Sequence, residues 1–414
     1  MRRVAITGFG VVSPVGVGRE AFWDALRNGR SGIGRISRFD CTTFAVQLAG
    51  EVKGELALPS EVADVAADDP KVGFAFAAAR EALAGAGVEE LSAEALLHVG
   101  TSLEAFDLEK VIHNGEPDFR AVAERCLSGE IQRFQIPLDT AARLLCETFG
   151  RPRQALTNCS ACAAGAQAIG HGFRSVRSEL FELALCGGFD SMINPLGVGG
   201  FQLLGALTAD NERGPGACRP FDAARSGTVL GEGAAMLVLE PLEKARADGK
   251  HILAEVCGYG STLDAYSLSA PDPDGDGATR AMRAALEDAG LRPDQIAHIN
   301  AHGTGTRLND EVEALAIRRV FEGVWQHIPV SSTKSMTGHL IAAAGAIEAG
   351  ACLLPLLQGM MPPNPSLSRV GSGCELAHVT GEAAAFDGEY VLSNSFGFGG
   401  QNATLVLRRF DGRG

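Results

Sequence analysis

The sequence lacks the excess of positive charge that a binder of polyanions needs. Its 414 residues include 36 basic and 50 acidic side chains, which gives a formal net charge of −14. A general nucleic-acid binder would present a basic face, and a protein that lies on a membrane would present a basic amphipathic helix. We therefore expect neither nucleic acid nor a membrane as a partner.

Long apolar runs, an export signal and regular cysteine pairs are also missing. No purely apolar stretch reaches the about 18 residues of a membrane-spanning helix, and residues 1–6 enter a strand without a signal-peptide layout. The ten cysteines are scattered, with Cys159 and Cys162 as the one C-x-x-C pair. We expect reduced thiols and a cytoplasmic protein with no metal site, while a redox role for that pair stays open as an alternative.

Aromatic side chains make up only 6% of the chain, whereas glycine occurs 52 times. This composition favours close backbone contacts and tight corners between strands and helices. The pattern alternates strands with helices, as in layered α/β folds. Segments of the second half echo the first: 252–259 echoes 4–9, 296–301 echoes 96–100, 343–346 echoes 163–166, and 390–393 echoes 183–186. We predict a duplicated α/β chain.

Residues 156–170 read as a strand end, a polar corner and a helix of small residues, with Cys162 at the corner. A thiol at a helix N-terminus faces unpaired N–H groups and the positive end of the helix dipole. This setting lowers the pKa of a free cysteine from about 8.5, so we expect a reactive thiolate. The alternative is a buried cysteine that acts only as a small apolar side chain.

Two further corners carry histidines that suit acyl transfer. His302 ends an apolar strand in the run NAHGTGT at 300–306, and Lys334 and His339 stand in KSMTGHL at 334–340, just before another helix of small residues. A cysteine and two histidines at such corners form a plausible constellation for nucleophilic catalysis. An isolated histidine would otherwise be a core or surface residue.

These motifs resemble those of the elongating β-ketoacyl-acyl-carrier-protein synthases, the type II condensing enzymes of the thiolase superfamily. The resemblance runs from about residue 2 to about residue 408. It rests on SACAAG at 160–165, NAHGTGT at 300–306, KSMTGHL at 334–340 and NSFGFGG at 394–400, with PLGVGGF at 195–201 and RPFD at 219–222. It implies a thiolase-like α/β fold, in which two βαβαβαββ halves form a five-layer αβαβα stack. We place the halves at 1–250, with the nucleophile, and 251–414, with both histidines.

The resemblance also implies roles for single residues. Cys162 is the nucleophile, and His302 and His339 bind the malonyl thioester carbonyl. Lys334 adjusts the electrostatic field at the two histidines and pairs with Glu348. The N–H of Cys162 and one from the loop with Phe398 and Gly399 form the oxyanion hole, and Phe398 gates the site. The resemblance also implies that Thr304 and Thr306 hydrogen-bond the pantetheine amides and that Phe396 and Phe398 contact the substrate. Asp310 and Glu313 are expected to support the structure.

The implied reaction is a decarboxylative Claisen condensation. An acyl group loads Cys162, malonyl on the carrier loses CO2, and its carbanion attacks the acyl thioester to give a β-ketoacyl chain two carbons longer. No metal or organic cofactor is implied, because the malonyl group stores the driving force. The implied partners are an acyl carrier protein with acyl and malonyl thioesters and a second subunit, in a homodimer or in a heterodimer with a related ketosynthase-like chain.

The chain departs from the pattern of these synthases where the carrier docks. Residues 64–69 are acidic where a basic helix is usual, and Gly205 replaces an arginine, so an acidic carrier would be repelled. Arginines that could replace these contacts are Arg125, Arg133, Arg151 and Arg153. The run at 101–106 is bulkier and more polar than expected, and Ser226 replaces an aspartate. These changes indicate a specialised pathway such as secondary metabolism.

Four other functions fit the same residues less well. A thiolase needs a second active-site cysteine near the C-terminus, but the nearest, Cys374, precedes the last motif. A chain-length-factor-like subunit or a pure decarboxylase would lack the nucleophile, which is present here. A structural or regulatory protein that uses the fold only as a scaffold would not need all three reactive residues.

Overall fold

The computed structural model describes residues 2–113, 116–131 and 133–412. Its helices alternate with strands along most of the chain, as the sequence pattern predicts. The helices are α1 Arg19–Arg27, α2 Ser60–Asp68, α3 Pro70–Gly85, α4 Leu108–Val111, α5 Phe119–Leu127, α6 Thr140–Phe149, α7 Ala164–Arg177, α8 Pro195–Leu203, α9 Leu242–Ala247, α10 Asp276–Ala289, α11 Arg307–Val320, α12 Lys334–Thr337 and α13 Ala344–Gln358.

The strands fall into one large sheet and several short pairs. They are β1 Val4–Ser13, β2 Gly16–Val17, β3 Ile33–Arg35, β4 Leu48–Gly50, β5 Ala95–Gly100, β6 Ala105–Phe106, β7 Ile112–His113, β8 Glu116–Pro117, β9 Gln135–Ile136, β10 Gln154–Asn158, β11 Leu183–Ser191, β12 Leu230–Pro241, β13 Ala254–Leu263, β14 Ile296–Asn300, β15 Pro329–Ser331, β16 Met360–Met361, β17 Ala377–His378, β18 Ala384–Ala385, β19 Tyr390–Gly397 and β20 Gln401–Arg408.

The strand order of the large sheet shows the duplication. It runs β10-β5-β11-β12-β1-β13-β20-β19-β14-β15-β17, with β1 and β13 paired antiparallel in the middle. From this central pair outward, each strand of the first half matches one of the second, β12 with β20, β11 with β19 and β5 with β14. All these strands except the edges are buried almost throughout, so they read as continuous apolar runs.

Helices cover both faces of each half. Helix α3 packs on β1, β11 and β12, helix α10 packs on β13 and β20, and helices α7 and α13 lie between the two halves and contact each other. This order of layers confirms the expected thiolase-like αβαβα stack. The position of the boundary near residue 250 stays a prediction.

The two central helices approach closely because small residues line their contact. A Cβ on Gly165 would lie 2.8 Å from the Ala342 carbonyl oxygen and 3.1 Å from the Ala346 Cβ. The helix of small residues predicted after Cys162 therefore packs against the matching helix of the other half. The stretch Ile341–Gln358 is apolar and long enough to cross a membrane by length and composition, but 89% of it is buried inside the fold, as in a core helix.

Both central helices begin at the same kind of strained corner. Ala161 and Ile341 have φ values of 48° and 46°, in the left-handed region that side chains other than glycine rarely adopt. Each opens a short 3-10 turn, Ala161–Ala163 or Ile341–Ala343, that leads into α7 or α13. Such strain persists where the surrounding fold over-determines it, most often at functional sites. The corners place Cys162 and His339 beside each other.

Candidate active site

Cys162 lies in the 3-10 turn between β10 and α7, where it is 2% exposed. Its sulfur is 3.1 Å from Nε2 of His339, and the backbone N–H of Phe398 donates a hydrogen bond to it. Gly397 lets that loop come close, because a Cβ there would lie 3.0 Å from the Cys162 nitrogen. The corner, the histidine loop and the loop after β19 therefore meet at one thiol.

The pKa of this thiol differs from the sequence-based expectation. Burial raises the pKa of Cys162 to about 12, although the Phe398 N–H and the charge of Lys334 act in the opposite direction. The expected lowering by the helix terminus was wrong, because loss of water around the sulfur outweighs the dipole. The resting group is a neutral thiol, and its proton must leave as the sulfur attacks.

His302 and His339 face each other at the end of the site. Their ring centroids are 5.1 Å apart in an edge-to-face arrangement, and both side chains are buried. Burial, followed by the charge of Lys334, holds the pKa of both imidazoles well below the usual range. Both rings are therefore neutral near pH 7.

Hydrogen-bond partners assign the same tautomer to the two neutral rings. Nδ1 of His302 lies 3.1 Å from the ammonium nitrogen of Lys334, and Nδ1 of His339 accepts the Ile341 N–H at 3.3 Å. A ring nitrogen that accepts carries no proton, so in each ring the proton is on Nε2. Both histidines thus present N–H donors to the same small space.

Lys334 lies beneath His302, where it is fully buried. Its ammonium group donates to the His302 carbonyl at 2.6 Å and forms an ion pair with Glu348 on α13. A buried charge needs both a partner and hydrogen bonds to be tolerated. The contact between Lys334 and Glu348 is the one that the family resemblance implies.

The loop of His302 is held by two carboxylates of α11. Glu313 accepts the N–H groups of His302 and Gly303, each at 2.7 Å, and Asp310 accepts the Thr304 N–H at 3.1 Å. Both carboxylates are buried, and desolvation raises the pKa of Glu313 to about 7 and that of Asp310 to about 6. These contacts fit the supporting role that we expect for them.

A cavity of about 360 Å³ leads from Cys162 to the surface. The predicted substrate residues Thr304, Thr306, Phe396 and Phe398 all line it, and the two threonine hydroxyls lie 2.9 Å apart. The structure therefore brings these four together with the cysteine and both histidines. This arrangement suits a long, narrow substrate arm that reaches the sulfur from outside.

Two backbone N–H groups of the loop after β19 have different hydrogen-bond partners. The Phe398 N–H faces the Cys162 sulfur, whereas the Gly399 N–H donates to the Leu268 carbonyl at 2.8 Å. Of the two, Phe398 is the one whose N–H points to the reacting atoms. The Phe398 ring packs 5.9 Å from that of Phe201, between the cavity and an apolar cluster.

The sequence did not predict which apolar side chains pack around the nucleophile. Cys162 belongs to one cluster with Met192, Ile193, Val198 and Ile341. The Met192 sulfur lies 3.4 Å from the Ser102 hydroxyl, which donates to the buried Asp190 at 2.7 Å. Nothing in the residue types near 192 marked this contact, because the segment joins the nucleophile only through the packing of β11 beside β5.

The cysteine and the two histidines could also hold a metal ion by distance alone. Their sulfur and nitrogen atoms lie within 4.8 Å of one another. Zinc binds histidine through an unprotonated nitrogen, whereas here the partners of Nδ1 place a proton on each Nε2. The site fits two hydrogen-bond donors better than a metal.

The other two cysteines considered from the sequence lie apart from these groups. The Cys159 side chain is exposed, and its sulfur contacts the Ser102 carbonyl at 2.5 Å. Cys374 is buried in the cluster around β14 and β19 and does not line the cavity. Among the cysteines that the structure describes, Cys162 alone lines the cavity, so the second cysteine that a thiolase would need is not found there.

Two family models match the chain. The model described as "Beta-ketoacyl synthase, N-terminal domain" matches residues 1–245, and "Beta-ketoacyl synthase, C-terminal domain" matches residues 253–368. A "3-oxoacyl-(acyl-carrier-protein) synthase 2" of Synechocystis sp. is 38% identical over 420 residues, which cover 99% of this chain and 98% of that protein.

Solved structures agree with the sequence relatives. "The ishigamide ketosynthase/chain length factor" is 36% identical, with a TM-score of 0.85 and coverage of 99% of both chains. A "type II PKS acyl-carrier protein in complex with its ketosynthase bound to the hexaketide" is 30% identical, with a TM-score of 0.87 and coverage of 99% of this chain and 100% of that chain.

Proposed function

The chain belongs to the β-ketoacyl synthase family, and we propose that it is a β-ketoacyl-acyl-carrier-protein synthase. It joins an acyl chain on Cys162 to the two carbons left when carrier-bound malonyl loses CO2. One observation carries this proposal: a buried thiol faces two imidazoles that both present Nε2–H donors, at the end of a cavity open to the surface.

In the first half-reaction, the Cys162 sulfur attacks the thioester carbonyl of an acyl carrier protein. The new bond is a thioester on Cys162, and the carrier leaves as a thiol with the proton that Cys162 loses. The N–H of Phe398, together with that of Cys162, supplies donors for the oxyanion, and removal of one such donor typically costs about 3 kcal/mol. Phe398 also gates the entry of the acyl chain, since glycines flank it.

In the second half-reaction, malonyl on the carrier breaks its bond to the carboxylate and releases CO2. The electron pair forms an enolate whose oxygen accepts from Nε2–H of His302 and His339. The enolate carbon then attacks the acyl carbonyl on Cys162, and the sulfur leaves as a thiolate that takes up one proton from water to restore the resting thiol. Lys334 is a positioning residue, because it holds the tautomer of His302 and offsets the charge of Glu348.

The carrier partner and the second subunit belong to the same proposal. Among the strands that the structure describes, β10 pairs only with β5, so it forms one edge of the large sheet, with Gln154, Ala155 and Leu156 exposed. The free side of an edge strand can pair with another chain. A homodimer or a heterodimer with a related ketosynthase-like chain would cover it. We place the enzyme in the cytoplasm, in fatty acid or polyketide synthesis.

The test is the intact mass of the protein after incubation with a panel of acyl carrier proteins, beside the Cys162→Ala variant. We expect one acyl mass on the wild type and none on the variant. If the folded wild type takes up no acyl group, alone or when co-expressed with a related subunit, the proposal fails. Release of CO2 from malonyl-carrier by the loaded enzyme then reports the second half-reaction.

A further inference from the structure

The surface around the opening of the cavity carries exposed leucines from three separate segments. Leu203 ends α8 and Leu204 follows it, Leu268 lies in the loop after β13, and Leu308 lies in the first turn of α11. Leu203 is 89% exposed and Leu268 is 87% exposed. Single exposed leucines are common, but several at one opening indicate an interaction site. We call these four residues the leucine rim.

The leucine rim is continuous with the active site. Leu204 and Leu308 line the cavity that reaches Cys162, and both are also exposed at the surface. Leu268 accepts the Gly399 N–H, so it contacts the loop that also bears Phe398. An acyl group that reaches Cys162 through this opening must be delivered by a molecule seated on this rim.

Two of the arginines that could replace the usual carrier contacts are already neutralised by ion pairs. Arg133 forms ion pairs with Asp64 and Asp68 of α2 at 2.6 and 2.7 Å, and Arg125 pairs with Glu130 at 2.7 Å. Helix α2 itself therefore presents carboxylates rather than free cations. The loss of the usual basic helix is not compensated by these arginines.

The other two arginines considered from the sequence lie far from the opening. Arg153 stacks over the Phe181 ring, 4.4 Å from its centroid, and Arg151 precedes β10. Cys162 follows the opposite end of that strand, so both arginines belong to the far end of the sheet. They do not provide a cationic surface at the entrance.

One cation does stand at the opening. Arg307 is exposed, lines the cavity beside Leu308, and makes no ion pair with any residue that the structure describes. A guanidinium is well suited to a phosphate group. The thioester arm of a carrier is joined to it through a phosphodiester, which would lie just outside the opening when the sulfur end reaches Cys162.

We infer that the acyl carrier protein docks on the leucine rim through apolar contact, with Arg307 receiving the phosphodiester of its arm, in place of a basic docking helix. The inference rests on the proposed function, since it takes a carrier-bound thioester as substrate. Apolar docking depends little on ionic strength, whereas docking through charged surfaces weakens steeply as salt is added.

The experiment compares two donors of the same acyl group, the acyl carrier protein and the acyl-N-acetylcysteamine thioester, which has neither carrier nor phosphate. The rate of Cys162 acylation is followed by intact mass. In the double variant Leu203→Ser/Leu268→Ser, which changes two residues outside the cavity lining, we expect the ratio of carrier rate to small-donor rate to fall at least tenfold. Leu180→Ser is the control, because Leu180 is 59% exposed at the far end of β11.

Salt provides a second readout on the wild type. Between 50 and 500 mM NaCl we expect the carrier rate to change less than twofold, because apolar contacts persist when salt screens exposed charges, which it does over about 8 Å at physiological ionic strength. A loss of tenfold or more would mean docking through charge and would overturn the inference. An unchanged donor ratio in the double variant would overturn it as well.

Arg307 is tested with acyl phosphopantetheine and acyl pantetheine, which differ only in the phosphate. We expect the wild type to prefer the phosphorylated donor and Arg307→Gln to lose that preference. An equal preference in both proteins would overturn the assignment of Arg307. If the wild type is acylated by no donor at all, the proposed function itself fails. If the small donor acylates Cys162 but the double variant keeps the wild-type ratio of carrier rate to small-donor rate, only the docking surface is overturned.

Discussion

Lys334 and Glu348 form an ion pair in which the side chains are only 1% and 3% exposed. Two charges this deep cost much desolvation, and apolar residues of similar volume would often stabilise a fold as well. The pair is explained by what else the ammonium group does, since it also donates to the His302 carbonyl and faces Nδ1 of that ring. The charge therefore serves the donor geometry of His302.

We predict that Lys334→Met lowers stability by about 3–5 kcal/mol, because it leaves the Glu348 carboxylate buried and unpaired. The free energy of unfolding in urea measures this. The double variant Lys334→Met/Glu348→Leu should regain most of the loss, since neither charge remains.

Activity separates positioning from stability in the same two variants. We expect both to lose decarboxylation of malonyl-carrier by between about 10- and 100-fold, because His302 has lost the partner that keeps its proton on Nε2. Acylation of Cys162 should fall less. Recovery of decarboxylation in the double variant would mean that Lys334 is needed only for stability.

The raised pKa of Cys162 gives a pH prediction. Because this pKa is about 12, the thiolate fraction at lower pH rises about tenfold each time the pH is increased by one unit. Alkylation of Cys162 by iodoacetamide should therefore keep rising from pH 6 to pH 9. The urea-unfolded protein is the control, and its cysteines should level off near the ordinary thiol pKa. A plateau below pH 7 in the folded protein would show a stabilised thiolate instead.

The sequence could locate the reactive residues because strand-to-helix corners put them at the same end of a sheet. Cys162, His302 and His339 all follow strands or turns at such corners, and the match between α7 and α13 follows from the repeated small-residue runs. The acidity of the thiol could not be predicted in this way. It depends on how completely Met192, Ile341 and the Phe398 loop exclude water, which only packing reveals.

The leucine rim was unpredictable for a related reason. Leu203, Leu268 and Leu308 are distant in the sequence, and each alone is an ordinary exposed apolar residue. Only the fold shows that their segments end at one opening. The acidic stretch of α2 was visible from the sequence, but its ion pairs with Arg133 were not.

A matched pair of glycines tests the mobility of the loop that carries Phe398. Gly399 and Gly400 have φ values of 75° and 73°, so alanine is strained at either position. A Cβ on Gly399 would meet open space, whereas one on Gly400 would lie 2.7 Å from the Asp264 Cβ. Asp264 is fixed by its contact with Asn402 at 2.7 Å.

We predict that Gly399→Ala costs about 1 kcal/mol from backbone strain alone and leaves acylation of Cys162 nearly intact. Gly400→Ala should slow acylation at least fivefold more, since it displaces the loop against Asp264. Thermal unfolding and intact mass measure the two effects. Equal acylation rates in both variants would contradict a gating role for this loop.

Met192 gives the last prediction, which concerns the length of the acyl chain. Its side chain packs in the cluster that contains Cys162 but is not among the residues that line the cavity, so we expect an acyl chain on the sulfur to extend toward it. In Met192→Ala the removed atoms leave room for about two to four more carbons, at a stability cost of about 2–5 kcal/mol. Intact mass with a panel of acyl carriers should show loading shifted to longer chains.

Met236→Ala is the matched control, because Met236 is fully buried on β12 in a different cluster. This substitution should cost similar stability without changing the preference for acyl chain length. The same preference in all three proteins would show that the length limit lies elsewhere.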